Sequence, residues 1–393
     1  MGIVMLRNPF KYGKEVSGEA FYDRQEVSET LYRRLADGSS NVVMYAPRRY
    51  GKTSLVKKVL ARFAAEGVRT IYFDMNRAES IERFCEEYAS AVYSLCGKTT
   101  ALLDAFGRYL SHLHPTLGFG GDQPVSVRFD YGEKMTATSV SEVLDLVERI
   151  AVESKTGPII VAFDEFQEVA RLSPSLPLEG IFRSCIQAHQ NVNYVFFGSK
   201  THLLRRMFGD HARPFYRSAS VLKLDKPPEA ESLAFVRDRF AARGVGIDEA
   251  VAGELVRKTE NIPYYIQQLG YFAFDAVVAD EKDRIEKRHL DQAVDALLAN
   301  DADYFSERLG AFSPSQRSLI AALAAEPVAE FVESYRRRHG LGVSATVHAA
   351  LRVIVEAGVV EREGETYSLG DPFFARYVRT RPFETVGTDG HLL

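Results

Sequence analysis

The stretch APRRYGKT, residues 46–53, decides the fold of this chain. It matches the phosphate-binding pattern G-x-x-x-x-G-K-[ST] at every defined position except the first, where alanine replaces glycine. The apolar run NVVMY (41–45) precedes it, and the amphipathic stretch LVKKVLARFAAEG (55–67) follows it. This order predicts a strand, a tight loop and a helix, with loop N–H groups and the helix N-terminus facing an anion.

The residue types in the loop predict how it would hold the phosphates of a nucleotide. Gly51 permits close backbone approach, Lys52 provides a cation for the β- and γ-phosphate oxygens, and Thr53 offers its hydroxyl to Mg²⁺. Ala46 can adopt ordinary loop dihedral angles but not a positive φ at low cost, and the arginines that follow are expected to point outward from the loop. The predicted nucleotide-binding residues here are Ala46, Pro47, Arg48, Arg49, Tyr50, Gly51, Lys52, Thr53 and Ser54.

Polar residues at the ends of two further predicted strands complete the site. Asp164 and Glu165 follow the apolar run 158–163, and Ser199 follows NYVFFG (193–198). Ligands of parallel sheets bind at the carboxyl ends of the strands, which places all three residues near the loop. Asp164 is predicted to hold Mg²⁺ through water, together with Thr53. Glu165 is predicted to orient and deprotonate the attacking water, and Ser199 to sense the γ-phosphate or that water.

Two arginines are candidates for stabilising the transferred phosphoryl group. Arg213 and Arg217 lie in ARPFYRSA (212–219), just before the fifth predicted strand. Arg217 is the favoured arginine finger, acting in cis or in trans from a neighbouring subunit, and a trans role would require a homo-oligomer. The alternative for both is a surface arginine without a catalytic role. The chain has no N-K-x-D after a late strand, so ATP is predicted rather than GTP.

Strands and helices alternate along the first part of the chain, which predicts a parallel α/β domain over residues 1–228. Between them, the glycine-containing segment 113–135 is read as a loop or a hairpin insertion. The predicted strands are 41–45, 70–76, 158–163, 193–199 and 221–225. The predicted helices are 55–67, 80–97, 141–154 and 178–190.

Beyond residue 228 strand signals disappear, and 229–310 is predicted to be a helical subdomain. The pattern then changes to three helix-like stretches, 315–325, 328–338 and 344–357, followed by VVEREGETYSLGDP (359–372). The latter reads as a hairpin with Glu363 and Gly364 at its turn. Helices followed by a two-stranded wing predict a winged helix-turn-helix over 311–382, with a tail at 383–393.

The composition excludes several classes of protein. The chain has 393 residues, of which 46% are apolar and 26% charged, and a formal net charge of −4, so bulk attraction to nucleic acid is not indicated. Its three cysteines have no zinc-ligand or disulfide-framework spacing. The apolar runs are too short to span a bilayer, and the first ten residues do not fit a signal peptide. A cytoplasmic protein without membrane insertion is expected.

These motifs resemble those of the archaeal-type P-loop ATPases, in the STAND branch of signal-transduction NTPases related to AAA+ proteins. The resemblance covers nearly the whole chain: FYDRQE (21–26), PRRYGKTSL (47–55), IIVAFDEF (159–166), FGS (197–199) and GDPFFARYVR (370–379) occur in the family's order. It implies an ATP-hydrolysing domain, a helical lid and a winged helix that together act as a Mg²⁺-dependent molecular switch. Asp23 stands where the family's entry motif has glycine, and Asn261 stands where the G-x-P of the family's lid has glycine.

The resemblance also implies where the adenine base would lie, at the hinge between the sheet domain and the lid. Asn8, Pro9 and Phe10 in the entry segment and Pro263 in the lid are therefore candidates for the walls of the base pocket. The alternative is that these apolar residues belong to the core. A protein partner could dock on the lid or the winged helix.

Whether the winged helix contacts DNA is a separate question, and packing or partner docking is favoured over it. Its third helix is predicted to bury Val347, Leu351, Ile354 and Val355 and to expose Thr346, His348, Ala349, Arg352 and Glu356. Only one of the exposed residues is a permanent cation, whereas readers of DNA sequence present several. The residues available for phosphate contacts are Arg336, Arg337, Arg338, His339, Arg376, Arg379 and Arg381. An ATP-gated DNA-binding initiator or regulator is the alternative to the switch.

Overall fold

The computed structural model describes residues 7–13, 24–97, 99–118, 126–129, 135–155, 157–173 and 175–380. The start of the predicted entry motif (21–23), Arg381 and the predicted tail lie outside these residues. The described residues form two compact units. The sheet unit contains residues 24–46 and 51–225, and the helical unit contains residues 7–13, 47–50 and 226–380. The predicted domain boundaries at 228, 310 and 382 remain predictions.

Five parallel strands form the centre of the sheet unit, in the order β2-β5-β6-β1-β7. The strands of this unit are β1 Val42–Tyr45, β2 Thr70–Asp74, β3 Pro115–Gly118, β4 Ser126–Phe129, β5 Ile159–Asp164, β6 Val192–Gly198 and β7 Ser220–Lys223. The residues of β1, β5 and β6 are all buried, as near-continuous apolar runs predict for the middle of a parallel sheet. The register pairs Tyr45 with Gly198 and Asp74 with Asp164, so these strands end at one edge.

Helices connect the strands and cover the sheet. They are α1 Gln25–Asp37, α2 Lys52–Ala65, α3 Ile81–Cys96, α4 Thr100–Tyr109, α5 Ala137–Ser154, α6 Leu178–Ala188 and α7 Thr201–Gly209. Side chains of Ser80 and Thr136 cap α3 and α5 by accepting backbone N–H bonds. A cluster of aromatic rings that includes Phe163, Phe166 and Phe196 lies in the core.

Two parts of the sheet unit differ in detail from the sequence prediction. The prediction did not include α4, although its buried residues Leu102, Ala105 and Phe106 have helical spacing. In the segment 113–135 the hairpin alternative is confirmed, because β3 and β4 pair antiparallel. Residues 119–125 and 130–134 of that segment lie outside the described part.

The first part of the helical unit is largely α-helical, as predicted. Its elements are α8 Glu229–Ala241, β8 Gly246–Ile247, α9 Glu249–Lys258, α10 Pro263–Ala279, β9 Arg284–Ile285, α11 Lys287–Asn300 and α12 Ala302–Gly310. The expectation that strands are absent here was wrong in one respect, since β8 and β9 pair in parallel. With two residues each, they are too short to give a periodic sequence signal.

The winged helix follows with α13 Pro314–Ala325, α14 Glu333–Arg338, α15 Ser344–Glu356, β10 Val360–Glu363, β11 Thr366–Leu369 and α16 Pro372–Arg379. The wing is confirmed: β10 and β11 are antiparallel, and Gly364 at their turn has a φ of 61°. Helix α14 begins later than predicted, because Val328 forms a bridge with Tyr367. No helix among the described residues is long and apolar enough to cross a membrane.

Candidate nucleotide site

The phosphate-binding sequence forms the predicted loop between β1 and α2. Gly51 has a φ of 82°, a conformation that glycine adopts without steric cost, and it stands directly before Lys52, the first residue of α2. The side chain of Lys52 is 7% exposed, and its Nζ donates to the carbonyl oxygen of Ala46 at 2.9 Å. A buried cation therefore lies at a helix N-terminus, and both features attract phosphate.

The first position of the loop tolerates its alanine. Ala46 is buried and does not have a positive φ, so the missing glycine causes no strain there. Besides Gly51, the residue of the loop with a left-handed backbone is Arg49, whose φ is 69°. The side chain of Arg49, expected to point outward from the loop, reaches Tyr265 and Asp371 of the helical unit with its guanidinium. Arg48 is exposed.

Thr53 and Asp164, the two predicted metal ligands, meet at the start of α2 and the end of β5. The Thr53 hydroxyl donates to Asp164 Oδ2 at 2.8 Å. Tyr72 of β2 donates to the same oxygen at 2.7 Å, and the backbone N–H of Glu165 donates to Oδ1. Burial raises the pKa of Asp164, although the hydroxyl groups of Tyr72 and Thr53 offset part of that effect.

The donor set of this pair fits Mg²⁺. A hydroxyl and a carboxylate provide the hard oxygen ligands that Mg²⁺ takes from proteins, while water and substrate phosphates fill the other positions. No group of three or more His, Cys, Asp or Glu side chains that could hold a metal occurs among the described residues. A metal held partly by the phosphates of a nucleotide is consistent with both observations.

Glu165 and Ser199 are brought together as predicted. Glu165 Oε2 accepts hydrogen bonds from the Ser199 N–H at 3.0 Å and from the Ser199 hydroxyl at 2.9 Å. Gln167 Nε2 donates to the same oxygen at 2.6 Å. The backbone of Glu165 is left-handed, with a φ of 50°, which is the kind of strained conformation that clusters at functional sites.

Gly198, the last residue of β6, makes room for this arrangement. A Cβ at this position would overlap the side-chain oxygen of Gln167 and lie 3.1 Å from the Cα of Glu165. Only glycine therefore allows β6 to approach Glu165 this closely. Gly198, Gln167 and Tyr72 were not predicted as site residues from the sequence. Gly198 in FGS was the available signal, whereas nothing in the sequence distinguished Gln167 or Tyr72 from core residues.

The two candidate arginines have different surroundings in the sheet unit. Arg213 forms an ion pair with Glu179 at the start of α6. Arg217 is exposed, its backbone N–H donates to the carbonyl of Phe208, and its guanidinium lies 5.3 Å from the Tyr216 ring. The structure brings neither arginine to Glu165. A finger role for Arg217 remains a prediction.

The candidates for the base pocket all belong to the helical unit. Phe10 is 1% exposed, and its ring packs against Phe240 at 4.8 Å between centroids and against the backbone of Gly270 in α10. Asn8 Nδ2 donates to the carbonyl of Tyr271, Pro9 is buried, and Pro263 is the first residue of α10. Contact with adenine remains a prediction for these residues.

The exposed face of α15 is as predicted, but the adjacent basic run is largely paired with acids. Thr346, His348, Ala349, Arg352 and Glu356 are exposed, while Val347, Leu351 and Ile354 are buried and Val355 is partly buried. Arg337 pairs with Glu333, and Arg338 and His339 both contact Glu326. These pairs reduce the positive charge available for DNA phosphates.

Comparisons with known proteins match both parts of the chain. A model of an ATPase domain predominantly from Archaea matches residues 21–269, and a model of a probable winged helix domain matches residues 303–380. No curated protein matches the sequence.

Among solved structures, the Walker-type ATPase PABY2304 of Pyrococcus abyssi has a TM-score of 0.65, with 18% identity over 94% of this chain and 99% of that one. The ORC2 protein of Aeropyrum pernix, in ADPNP–ADP complexes, has a TM-score of 0.57, with 16% identity over 95% of this chain and 96% of that one. At such identities the likeness shows the fold. The predicted class is confirmed: a parallel-sheet P-loop NTPase core with a helical lid and a C-terminal winged helix.

Proposed function

The chain belongs to the family of ATPase domains found predominantly in Archaea, and from that premise we propose that it binds ATP with Mg²⁺ and hydrolyses it. The observation that carries the proposal is the clustering of polar residues at the loop and at the ends of two strands. Lys52 lies at the start of α2, Thr53 contacts Asp164, and Glu165 is held by Ser199. Each type of residue that phosphoryl transfer to water needs is present.

In this proposal, catalysis consists of positioning and charge stabilisation. Lys52 and the N–H groups at the start of α2 bind the β- and γ-phosphates. Thr53, together with Asp164 through water, would hold Mg²⁺, which would supply positive charge against the charge that develops on the phosphate oxygens. Glu165 accepts the proton of the attacking water. Ser199 and Gln167 fix the Glu165 carboxylate, so that the base is oriented before the substrate binds.

We further propose that nucleotide state controls the helical unit, so that the protein acts as a switch. The support is that four loop residues, 47–50, belong to that unit, whereas Gly51 and Lys52 belong to the sheet unit. Phosphates bound at Lys52 would therefore act on the neighbouring loop residues 47–50, which belong to the helical unit. A partner protein could read the resulting state through the lid or the winged helix, and a homo-oligomer is compatible with the same scheme.

The experiment that tests hydrolysis is steady-state phosphate release from ATP in the presence of Mg²⁺. Glu165→Gln keeps the shape of the side chain and removes the base, so we expect nucleotide binding to persist while turnover falls by about 10²-fold or more. Glu153→Gln makes the same exchange on an exposed glutamate of α5 and should retain turnover. An unmodified protein that binds nucleotide without releasing phosphate would be a nucleotide-holding scaffold instead.

The alternative, an ATP-gated DNA-binding regulator, makes a different prediction. It requires duplex affinity that rises with ATP and falls steeply with salt, because phosphate contacts release counterions. Filter binding of a DNA duplex at low and physiological salt, with and without ATP, distinguishes the DNA-binding regulator from the ATPase switch. The pairing of Arg337 and Arg338 with acids favours the switch.

A further inference from the structure

Arg49 of the phosphate-binding loop is held by residues of the helical unit that are distant in sequence. Its Nη1 lies 2.5 Å from Asp371 Oδ2 and also donates to the hydroxyl of Tyr265. The guanidinium lies 4.9 Å from the ring centroid of Tyr264 and 4.8 Å from that of Tyr265. The N–H of Tyr264 donates to the carbonyl oxygen of Arg49 at 3.4 Å. Both the side chain and the backbone of Arg49 are therefore fixed.

The backbone of Arg49 has a conformation that needs such support. Its φ of 69° lies in the left-handed region, which is unfavourable for a residue with a Cβ. Arg49 stands three residues before Lys52, in the part of the loop whose N–H groups are expected to face the phosphates. A change of backbone conformation at Arg49 would re-aim those N–H groups. The contacts that hold the side chain thus also hold the geometry of the loop.

Asp371 is well suited to hold Arg49, because its two oxygens have separate partners. Oδ1 accepts the backbone N–H groups of Phe373 and Phe374, both at 3.0 Å, and so caps α16. Oδ2 faces Arg49 and lies 3.9 Å from Nη1 of Arg308. The side chain is 5% exposed, and a buried carboxylate that has both hydrogen bonds and cationic partners is compensated in its charged form.

We propose that Asp371 is a positioning residue for nucleotide binding: acting through Arg49, it holds the phosphate-binding loop in the conformation that accepts the phosphates. This inference rests on the proposed function, since it concerns the same site. It assigns to the last helix of the winged helix a role in nucleotide affinity. It does not require Asp371 to touch the nucleotide.

Because Oδ1 of Asp371 caps α16 and Oδ2 contacts Arg49, substitutions can remove one contact and keep the other. Asp371→Ser retains a side-chain oxygen that caps α16 but is too short to reach Arg49, and Asp371→Asn retains the shape and the cap without the charge. Arg49→Ala removes the same Arg49–Asp371 contact by truncating the residue on the loop. Each variant, and the double variant Arg49→Ala with Asp371→Ser, is titrated with Mg-ADP by calorimetry. Glu326→Gln is the matched control, because it breaks a carboxylate–arginine contact elsewhere in the winged helix.

We expect each single variant to raise the Kd for Mg-ADP by about tenfold, or about 1.4 kcal/mol. The double variant should have a Kd for Mg-ADP no higher than that of the more weakly binding single variant, because each single substitution already removes the Arg49–Asp371 contact. For the two Asp371 variants, the kcat at saturating ATP should stay within about twofold of the unmodified value, because Asp371 contacts neither Glu165 nor Asp164. Arg49→Gly relieves the backbone strain of the left-handed position, but it also removes the contact with Asp371. It should therefore weaken Mg-ADP binding as well. The control should bind like the unmodified protein.

Several results would overturn this role for Asp371. Unchanged Kd values in folded Asp371 variants, with or without a lower melting temperature, would make the residue merely structural. Tighter binding by Asp371→Asn would mean that Asp371 competes with phosphate for Arg49. Both results leave the proposed function intact. Failure of the unmodified protein to bind Mg-ADP or Mg-ATP would instead overturn the proposed function and this inference together.

Discussion

Replacing Gly198 by alanine tests whether the arrangement around Glu165 is the catalytic one. The added Cβ would overlap the side-chain oxygen of Gln167 and lie 3.1 Å from the Gln167 Cδ and from the Glu165 Cα. Gln167 is 2% exposed, so its side chain cannot move into solvent without opening the core. Overpacking of this kind destabilises proteins by about 1–3 kcal/mol. For a unit of this size, that corresponds to a melting temperature lower by roughly 2–12 °C.

The same substitution should affect turnover more than binding. The new methyl group pushes on Gln167 and on the backbone of Glu165, and a misplacement of about 1 Å can cost roughly 10²-fold in rate. The three atoms nearest to the added Cβ belong to Gln167 and Glu165, and none of them to Lys52 or Thr53. We therefore expect phosphate release to fall by about 10- to 100-fold while the Kd for Mg-ADP changes by less than about twofold.

The assay combines differential scanning fluorimetry, phosphate release and calorimetric titration on the same preparations. Gly107→Ala is the control, because no atom lies within 4 Å of the Cβ that it adds in α4. It should leave turnover unchanged and raise stability by up to about 1 kcal/mol through helix propensity. Normal turnover in Gly198→Ala, at an unchanged melting temperature, would refute the reasoning about Glu165 and Gln167.

Three further predictions concern the charged groups of the site. Lys52→Ala should abolish tight ATP binding, because it removes the buried cation at the start of α2; an unchanged thermal shift with ATP would contradict the assignment. If Arg217 acts as an arginine finger, Arg217→Ala should lower kcat strongly while ATP affinity stays nearly intact. If it acts in trans, mixing Arg217→Ala with Glu165→Gln subunits should restore some turnover. A normal kcat of Arg217→Ala would eliminate the finger role. Burial raises the pKa of Asp164 in the folded protein, so its ionisation costs stability at pH 7, and this cost disappears below about pH 4, where the carboxyl is protonated in both states. Asp164→Asn should therefore raise the urea midpoint of the nucleotide-free protein at pH 7 but not at pH 4, and equal midpoints at pH 7 would count against the buried carboxylate.

The sequence predicted those parts of the molecule whose signals are local. The run before the loop and the helix after it are neighbours in sequence, and the two acids directly follow the apolar run of β5, so each signal can be read from a short stretch of the chain. The parallel-sheet rule was therefore enough to place Asp164, Glu165 and Ser199 at one edge. The exposed face of α15 followed from helical periodicity in the same way.

What the sequence could not predict depends on contacts between distant residues. Tyr72 reads as an ordinary strand residue, and only the register of β2 against β5 shows that its hydroxyl reaches Asp164. The sequence indicates only that Arg49 points outward from the loop, and it does not reveal the partner Asp371, which is 322 positions away. No periodicity or motif spacing reports such a pair, since both signals extend over a few turns of helix or strand.

That separation of 322 positions also has a consequence for the order of events during synthesis. Ribosomes add about 5–20 residues per second, so roughly 15–65 s pass between the emergence of Arg49 and that of Asp371. Once residue 225 has emerged, the sheet unit can form with Lys52 and Asp164 in place, while Arg49 lacks its carboxylate partner until Asp371 follows. Under the proposed role of Asp371, chains that have not yet reached residue 371 would bind nucleotide about tenfold more weakly than chains that include it.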